Sequence, residues 1–315
     1  MTTEKNTSNM FEHVLINALK VPGVKVNRKE FLSQSFAEYV NTEQLGTVLD
    51  KGPIEAGISL NLVNKLAKTI IQKRTLQSTG VSFAAGLPGG LTMAATIPAD
   101  TLQFFGVALR MAQELAYLFG HDDLWNNDHL NIEKVQAELT LYLGVMFGVG
   151  GTSAVLKVVS AKLSQQVLKK LPQKALMKTV YYPIIKKTAA ILGVNLTKRT
   201  FAQGVSKFIP VIGGIVSGGL TYASMKPMGD RLRETLYEAL DNYTDDDFDR
   251  DLEEAKNEII DIESELLEEE EVAVSNQQAA TYSVADEILK FKQLLDMGAI
   301  TQEEYDSKKA ELLKL

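Results

Sequence analysis

Apolar residues recur along this chain at helical spacing, and no stretch alternates in the manner of a half-buried strand. Phe11 to Leu19 carries one apolar face and stops at Pro22-Gly23, with the polar Met1 to Met10 before it expected to fray. A second helix starts at Asn27 or Arg28 and sets Phe31, Leu32, Phe36 and Tyr39 on its apolar side. After Pro53 and Gly57, the residues Leu62, Val63, Leu66 and Ile70 mark a helix over Leu60 to Ile71, whose other face is basic through Lys65, Lys68, Lys73 and Arg74. Met228 to Leu240 is helical as well. The pattern predicts an all-α protein: a multi-helix bundle with glycine-rich apolar helical hairpins, plus a small C-terminal helical hairpin.

The centre of the pattern is Thr79 to Asp123. From Thr75 to Ala99 there is no charged side chain, and Gly86, Gly89 and Gly90 interrupt the apolar residues, where the missing Cβ permits close packing or insertion. Pro88 and Pro98 each break a continuous helix. Asp100 is then placed to cap a helix beginning at Thr101, or to serve as a buried acid. Leu102, Phe105, Leu109, Ala112, Leu115 and Ala116 form its stripe, Arg110 and Glu114 are spaced for an i,i+4 pair, and Gly120 ends it.

Two further runs have no charge over eighteen residues each, Leu139 to Leu156 and Phe208 to Met225. Each holds a GxxxG, Gly144 to Gly148 and Gly214 to Gly218, a spacing that lets helices approach closely. Eighteen residues is near the lower limit for crossing a hydrocarbon core of ~30 Å. Glycine, Thr, Ser, Tyr and Pro210 dilute both runs, so the leading expectation is a pair of buried helices, and the alternative is a hairpin that enters lipid.

Charge divides the molecule. The net charge is −7, yet Asp241 to Glu271 alone holds 16 acidic residues against Arg250 and Lys256. Residues 1–240 are correspondingly basic. No acidic residue occurs from Leu139 to Ser224, a stretch that includes Lys157, Lys162, Lys169, Lys170, Lys174, Lys178, Lys186 and Lys187. Apolar residues interleave with these lysines as in basic amphipathic helices, which suit an anionic membrane surface; a solvated lysine face on a bundle is the other reading. Tyr181 and Tyr182 make no stacking motif, so nucleic acid is not an expected partner. Leu252, Ala255, Ile259, Ile262 and Leu266 fall on one stripe of the acidic segment, which is expected to pack on the basic body or on a partner. Val272 to Ser283 reads as an uncharged linker.

The glycine-rich run, the Ile97 to Asp100 step, Leu109-Arg110, Leu118 to Asp123 and the later Phe208 to Gly219 together resemble the EcsC family of bacterial proteins. The resemblance spans about Asn41 to Leu240; Thr221 and Tyr222 stand where that family often has an asparagine. At the C-terminus, Val284, Ile288, Phe291 and Leu295 share a helical face that ends at Gly298. Thr301 to Glu304 then forms a capping box, with Ile300 in the staple position and Tyr305 and Leu312 apolar on the following helix. This segment resembles the SHOCT domain, which implies an oligomerisation or interaction module with no catalytic residues. The expected organisation is a helical extension over 1–40, an EcsC-like domain over 41–240, an acidic helix and linker over 241–283 and the hairpin over 284–315.

Candidate chemistry is sparse. There is no cysteine, which excludes disulfides, thiolate metal sites and thiol nucleophiles. Gly86 to Gly90 lacks the Gly-Lys-Ser/Thr of a phosphate loop, and neither Ser153 nor Ser217 sits in G-x-S-x-G. His121, Asp122, Asp123, Asp128 and His129 cluster without the spacing of a defined metal site, so neither metal nor cofactor is expected. The N-terminus shows no secretory pattern. The expectation is a non-enzymatic protein of the cytoplasmic membrane face that binds anionic lipid through its basic body and assembles through its C-terminal hairpin. The alternatives are a soluble enzyme or lipid-like-ligand protein with an apolar glycine-lined pocket, and a membrane-permeabilising effector.

Overall fold

Short polar side chains open the N-terminal helices. The structure, a computed structural model, describes residues 2–80, 99–125, 132–160, 180–197, 218–259 and 301–313, with positions 292 and 295. Helix α1 (Thr2–Lys20) runs nine residues further toward the N-terminus than its apolar face predicts. Asn27 Oδ1 accepts the Glu30 N–H at 3.0 Å and starts α2 (Arg28–Phe36). Asn41 does the same for Gln44 at 2.8 Å and starts α3 (Thr42–Lys51), an additional helix whose Leu45, Val48 and Leu49 face the core. The remaining helices of the body are α4 (Leu60–Gly80), α5 (Ala99–Leu118), α6 (Ile132–Phe147), α7 (Thr152–Ser160), α8 (Tyr182–Thr197), α9 (Gly218–Glu238) and α10 (245–259). No strand occurs among the described residues, and the fold is all-α.

Helix α5 is the axle of this body. It contacts α1, α2, α4, α6 and α9. Its expected stripe is buried throughout, and so are Phe104, Val107, Ala108, Met111, Tyr117 and Phe119 on its other sides. A helix that is apolar almost all round is a core helix rather than a surface one. It begins at Ala99, two residues before the expected start, which moves Asp100 from the cap into the first turn; the Asp100 side chain lies outside the described residues. At the other end Gly120 takes φ +90°, the His121 N–H donates to Ala116 O at 3.0 Å and the Gly120 N–H to Tyr117 O at 3.2 Å. That pair of bonds is the Schellman stop, which needs a left-handed residue.

The same device cuts the first charge-free run in two. Gly148 takes φ +73°, with Val149 N–H donating to Gly144 O at 2.9 Å and Gly148 N–H to Val145 O at 3.0 Å. The run is therefore the end of α6, a turn and α7, not a continuous eighteen-residue helix. Gly144 and Gly148 consequently do not share a helix face. Gly144 packs closely on its own account, since a Cβ there would lie 2.7 Å from Thr152 Cγ2 and 2.8 Å from Thr188 Cγ2. No helix among the described residues is long and apolar enough to cross a membrane.

One ion cluster is built into the core. Glu114 is fully buried. Its carboxylate accepts from Arg74 Nε at 2.6 Å, from Arg74 Nη2, and from Arg110 Nε at 3.1 Å. Arg110 Nη1 also donates to Gly23 O, and Arg74 Nη1 to Gln77. The expected Arg110–Glu114 pair is present, but Arg74 does not belong to the solvated basic face of α4: it is buried, while Lys65, Lys68 and Lys73 are exposed. Next to it, Gln113 receives the Val26 N–H at 3.1 Å and donates to Val24 O at 2.9 Å, pinning the α1–α2 connection onto α5.

The chain divides into two compact units, Met1–Ile260 and Asp261–Leu315. In the second, α11 (Gln302–Leu313) follows a realised capping box: Thr301 N–H donates to Glu304 Oε2 at 2.8 Å and Glu304 N–H to Thr301 Oγ1 at 3.3 Å.

Removing one partner of a buried ion cluster leaves the others desolvated and unpaired, a loss of about 3–5 kcal/mol. Glu114→Ala is therefore expected to lower the unfolding free energy by that amount in urea denaturation, whereas Lys68→Ala on the exposed face of α4 changes it by less than about 0.5 kcal/mol. Equal effects of the two substitutions would contradict this account of the core.

Candidate functional site at the junction of the basic region and the acidic helix

The acidic segment does not stand apart from the basic one. Thr244 caps α10: its N–H donates to Asp247 Oδ2 at 3.0 Å, and the Asp247 N–H returns to Thr244 Oγ1 at 3.2 Å. Hydrogen bonds from the Thr244 hydroxyl and N–H, with Arg250 alongside, pull the Asp247 carboxyl down to about 2. From this start the helix turns Phe248, Leu252 and Ala255 into the main core, with Ile259 half-buried against it. The expected stripe thus packs on the body as far as Ile259; Ile262 and Leu266 lie outside the described residues.

Two of the expected lipid-contact lysines meet this helix. Lys157 Nζ on α7 lies 2.9 Å from Glu238 Oε2 and 4.0 Å from Asp251 Oδ2. Asp251 is only 2% exposed and also accepts the Tyr243 hydroxyl at 2.8 Å. Burial, reinforced by that bond, keeps the Tyr243 phenol protonated far above its ordinary range. Lys187 on α8 pairs with Glu258, whose side chain lies directly on the α6–α7 turn. A Cβ at Gly150 would fall 2.2 Å from Glu258 Oε1, so glycine is what admits the carboxylate there. Arg231 on α9 donates to Met146 O at 2.9 Å, placing positive charge at the C-terminal end of α6. Glu238, Asp251 and Glu258 were not singled out in the sequence; the only signal for them was the opposition of two charge blocks.

Lys186 is exposed. Lys162, Lys169, Lys170, Lys174 and Lys178 lie outside the described residues, as do Gly86, Gly89, Gly90, Gly214, Phe291 and Ile300. Gly218 is the first residue of α9. Leu295 is helical and half-buried, Tyr305 is buried, and Leu312 falls within α11.

Of the polar cluster after α5, His121 and Asp123 enter a hydrogen-bond network, Asp122 is exposed, and Asp128 and His129 lie outside the described residues. His121 Nδ1 is 3.0 Å from the Tyr142 hydroxyl and Nε2 is 3.1 Å from Ser160 Oγ. Arg28 Nε donates to His121 O at 3.1 Å, and Asp123 Oδ1 accepts the Trp125 N–H at 3.0 Å. Among the described residues no three His, Asp or Glu side chains converge as a metal site. A serine beside an imidazole is the pairing of a nucleophile and its base, but Ser160 is 1% exposed, and the pair acts here as a buried link between helices. The network joins α5, α6 and α7. Burial depresses the His121 imidazole to about 4.

Against known proteins, residues 286–313 match the family model of the short C-terminal domain, SHOCT. No curated protein matches the chain, and no solved structure matches it. The molecule is thus an all-α protein that carries a short C-terminal domain.

A histidine held neutral in the folded state, with an ordinary value of 6.5 when unfolded, takes up a proton on unfolding between those limits. Folding stability should be full above about pH 6.5 and fall as the pH drops toward 4, by roughly 1–3 kcal/mol from this group. His121→Gln should flatten the slope between pH 7 and 5 in chemical denaturation; an unchanged slope would contradict the assignment.

Proposed function

We propose that this is a non-enzymatic, peripheral protein of the cytoplasmic membrane face that meets anionic lipid through the lysine-rich region around Lys157 to Lys187, on an EcsC-like helical body. The observation that carries the reading is that acidic side chains already occupy both ends of that region, Glu238 and Asp251 on Lys157 and Glu258 on Lys187. Such a surface selects for negative charge, and the acidic helix is its built-in occupant. Headgroups of an anionic bilayer offer the same chemistry at high local density, worth about 1 kcal/mol per basic residue near the surface. On this reading the acidic segment holds the protein off the membrane until lipid competes for the lysines. The matched C-terminal domain then assembles copies or recruits a partner, in keeping with a hairpin too small to bury much core alone.

Deleting the acidic segment would be a poor test, because Phe248, Leu252 and Ala255 are part of the main core. Neutralising the carboxylates that meet the two lysines, Glu238 at the end of α9 and Glu258 on α10, leaves the apolar face intact. Purified protein should co-float with liposomes of rising anionic content and be released by salt, since surface charges farther apart than about 8 Å are screened at physiological ionic strength. Glu238→Gln with Glu258→Gln should raise the bound fraction, and Lys169→Glu, Lys170→Glu and Lys186→Glu together should lower it. Dye leakage in the same tubes would favour the permeabilising alternative. No flotation at any composition, with or without the neutralising pair, would overturn the membrane reading.

A further inference from the structure

Away from the basic region, α2, α4 and α5 enclose a cleft of about 810 Å3. Its floor includes the cluster of Arg74, Glu114 and Arg110. Two guanidiniums share one carboxylate there, so the cluster keeps one unit of positive charge inside a largely desolvated site. Buried charge is normally matched by a counter-charge. Arg110 commits Nε to Glu114 and Nη1 to Gly23 O; its Nη2 has no acceptor among the described residues, and its side chain is 32% exposed. Lys73, on the same wall, is exposed and pairs with no carboxylate among the described residues. Lys25, at the rim, lies over the Trp125 ring at 4.7 Å. Two exposed carboxylates, Glu30 on α2 and Glu38 in the turn after it, also line the cleft, so the formal balance of the lining is one positive charge.

The rest of the lining is mixed: Asn27, Gln34, Ser35, Thr69 and Gln77 are polar, and one apolar strip runs between them. Phe31, Leu66 and Ile70 are half-buried against the core and border the cleft, with Val107 beneath. A small hydrated anion would leave these faces unused. A dianion would exceed the charge balance. We propose that the cleft binds a monoanionic amphiphile, its carboxylate held by Arg110 and Lys73 and its aliphatic chain laid on Phe31, Leu66 and Ile70. The uncommitted Nη2 of Arg110 offers the carboxylate a charge-assisted hydrogen bond, and the Lys73 ammonium supplies the second donor. A cleft of this size that sets an apolar strip beside a cationic end can take both parts of such a ligand. None of its named lining residues belongs to the glycine-rich segments, and the proposal does not depend on membrane association.

The test is isothermal titration calorimetry of the full chain with decanoate, hexanoate, acetate and decyltrimethylammonium. Each methylene taken out of water strengthens binding by about fourfold, so decanoate should bind at least about tenfold tighter than hexanoate, with acetate weaker still. Lys73→Glu, an exposed substitution that leaves the ion cluster in place, should weaken decanoate at least about tenfold while circular dichroism stays unchanged. Arg110→Gln should do the same, and the triple Lys169→Glu, Lys170→Glu, Lys186→Glu variant should bind decanoate like the parent, which separates this site from the membrane reading. Equal binding of the cationic amphiphile would overturn the proposal. So would unaltered decanoate binding in Lys73→Glu, equal binding of decanoate and acetate, or no decanoate binding at all.

Discussion

A single fully buried carboxylate, Glu114, organises the body of this protein. An ionised glutamate in a desolvated core is tolerable only with charge partners and hydrogen bonds in place. Arg74 arrives from α4, and Arg110 supplies the second partner from the next turn of α5 while reaching Gly23 in the α1–α2 connection. The requirement therefore fixes the seating of α4 and of the N-terminal connection on the central helix. Apolar packing alone constrains this less, because α5 is apolar almost all round and offers no unique face. Gly229 completes the arrangement on the far side, where α9 comes close enough that a Cβ would lie 2.9 Å from Ile71 Cγ1 and 3.0 Å from Met111 Sδ.

Around that centre, glycine decides what the long uncharged run over Leu139 to Leu156 becomes. Eighteen residues without charge could be a marginal span, but Gly148 and Gly151 adopt φ near +75° and break it into α6 and α7. The turn lets Thr152 close on Gly144 and leaves the faces of Gly150 and Gly151 open to a neighbouring side chain. Glu258 of the acidic helix covers it and reaches Lys187 from there. Hydrophobicity is thus spent on core, and the charge blocks are brought face to face by the same turn.

Local chemistry was the legible part of the sequence. Asn27, Gly120 and the Thr301 to Glu304 box each mark an end of a helix through a side chain or a φ value that acts within a few residues, and each is found in place. The apolar stripe of α5 is legible for the same reason. What could not be read were contacts set by the tertiary fold. Arg74 and Glu114 are forty residues apart in the chain, so Arg74 looks like one more lysine-face neighbour until the helices pack. Helix α3 was legible too, since Leu45, Val48 and Leu49 stand at helical spacing behind the Asn41 cap, but the stripe is short and went unmarked. His121 follows α5, Tyr142 lies within α6 and Ser160 ends α7, so their contact is set only by the packing of those elements, and the histidine alone suggests a loop cluster. The GxxxG at Gly144 misled because spacing does not reveal which glycine will take a left-handed turn. The opposed charge blocks were visible, but not which carboxylates would touch which lysines.

The central claim is that the acidic helix and an anionic surface compete for the same lysines. Hydrogen exchange of the full chain, followed by mass spectrometry with and without vesicles, tests it most directly. The account predicts that anionic vesicles speed exchange in residues 245–259 and slow it in the lysine-rich region, while zwitterionic vesicles change neither. Protection of residues 245–259 that stays the same while the protein is bound to anionic vesicles would contradict it.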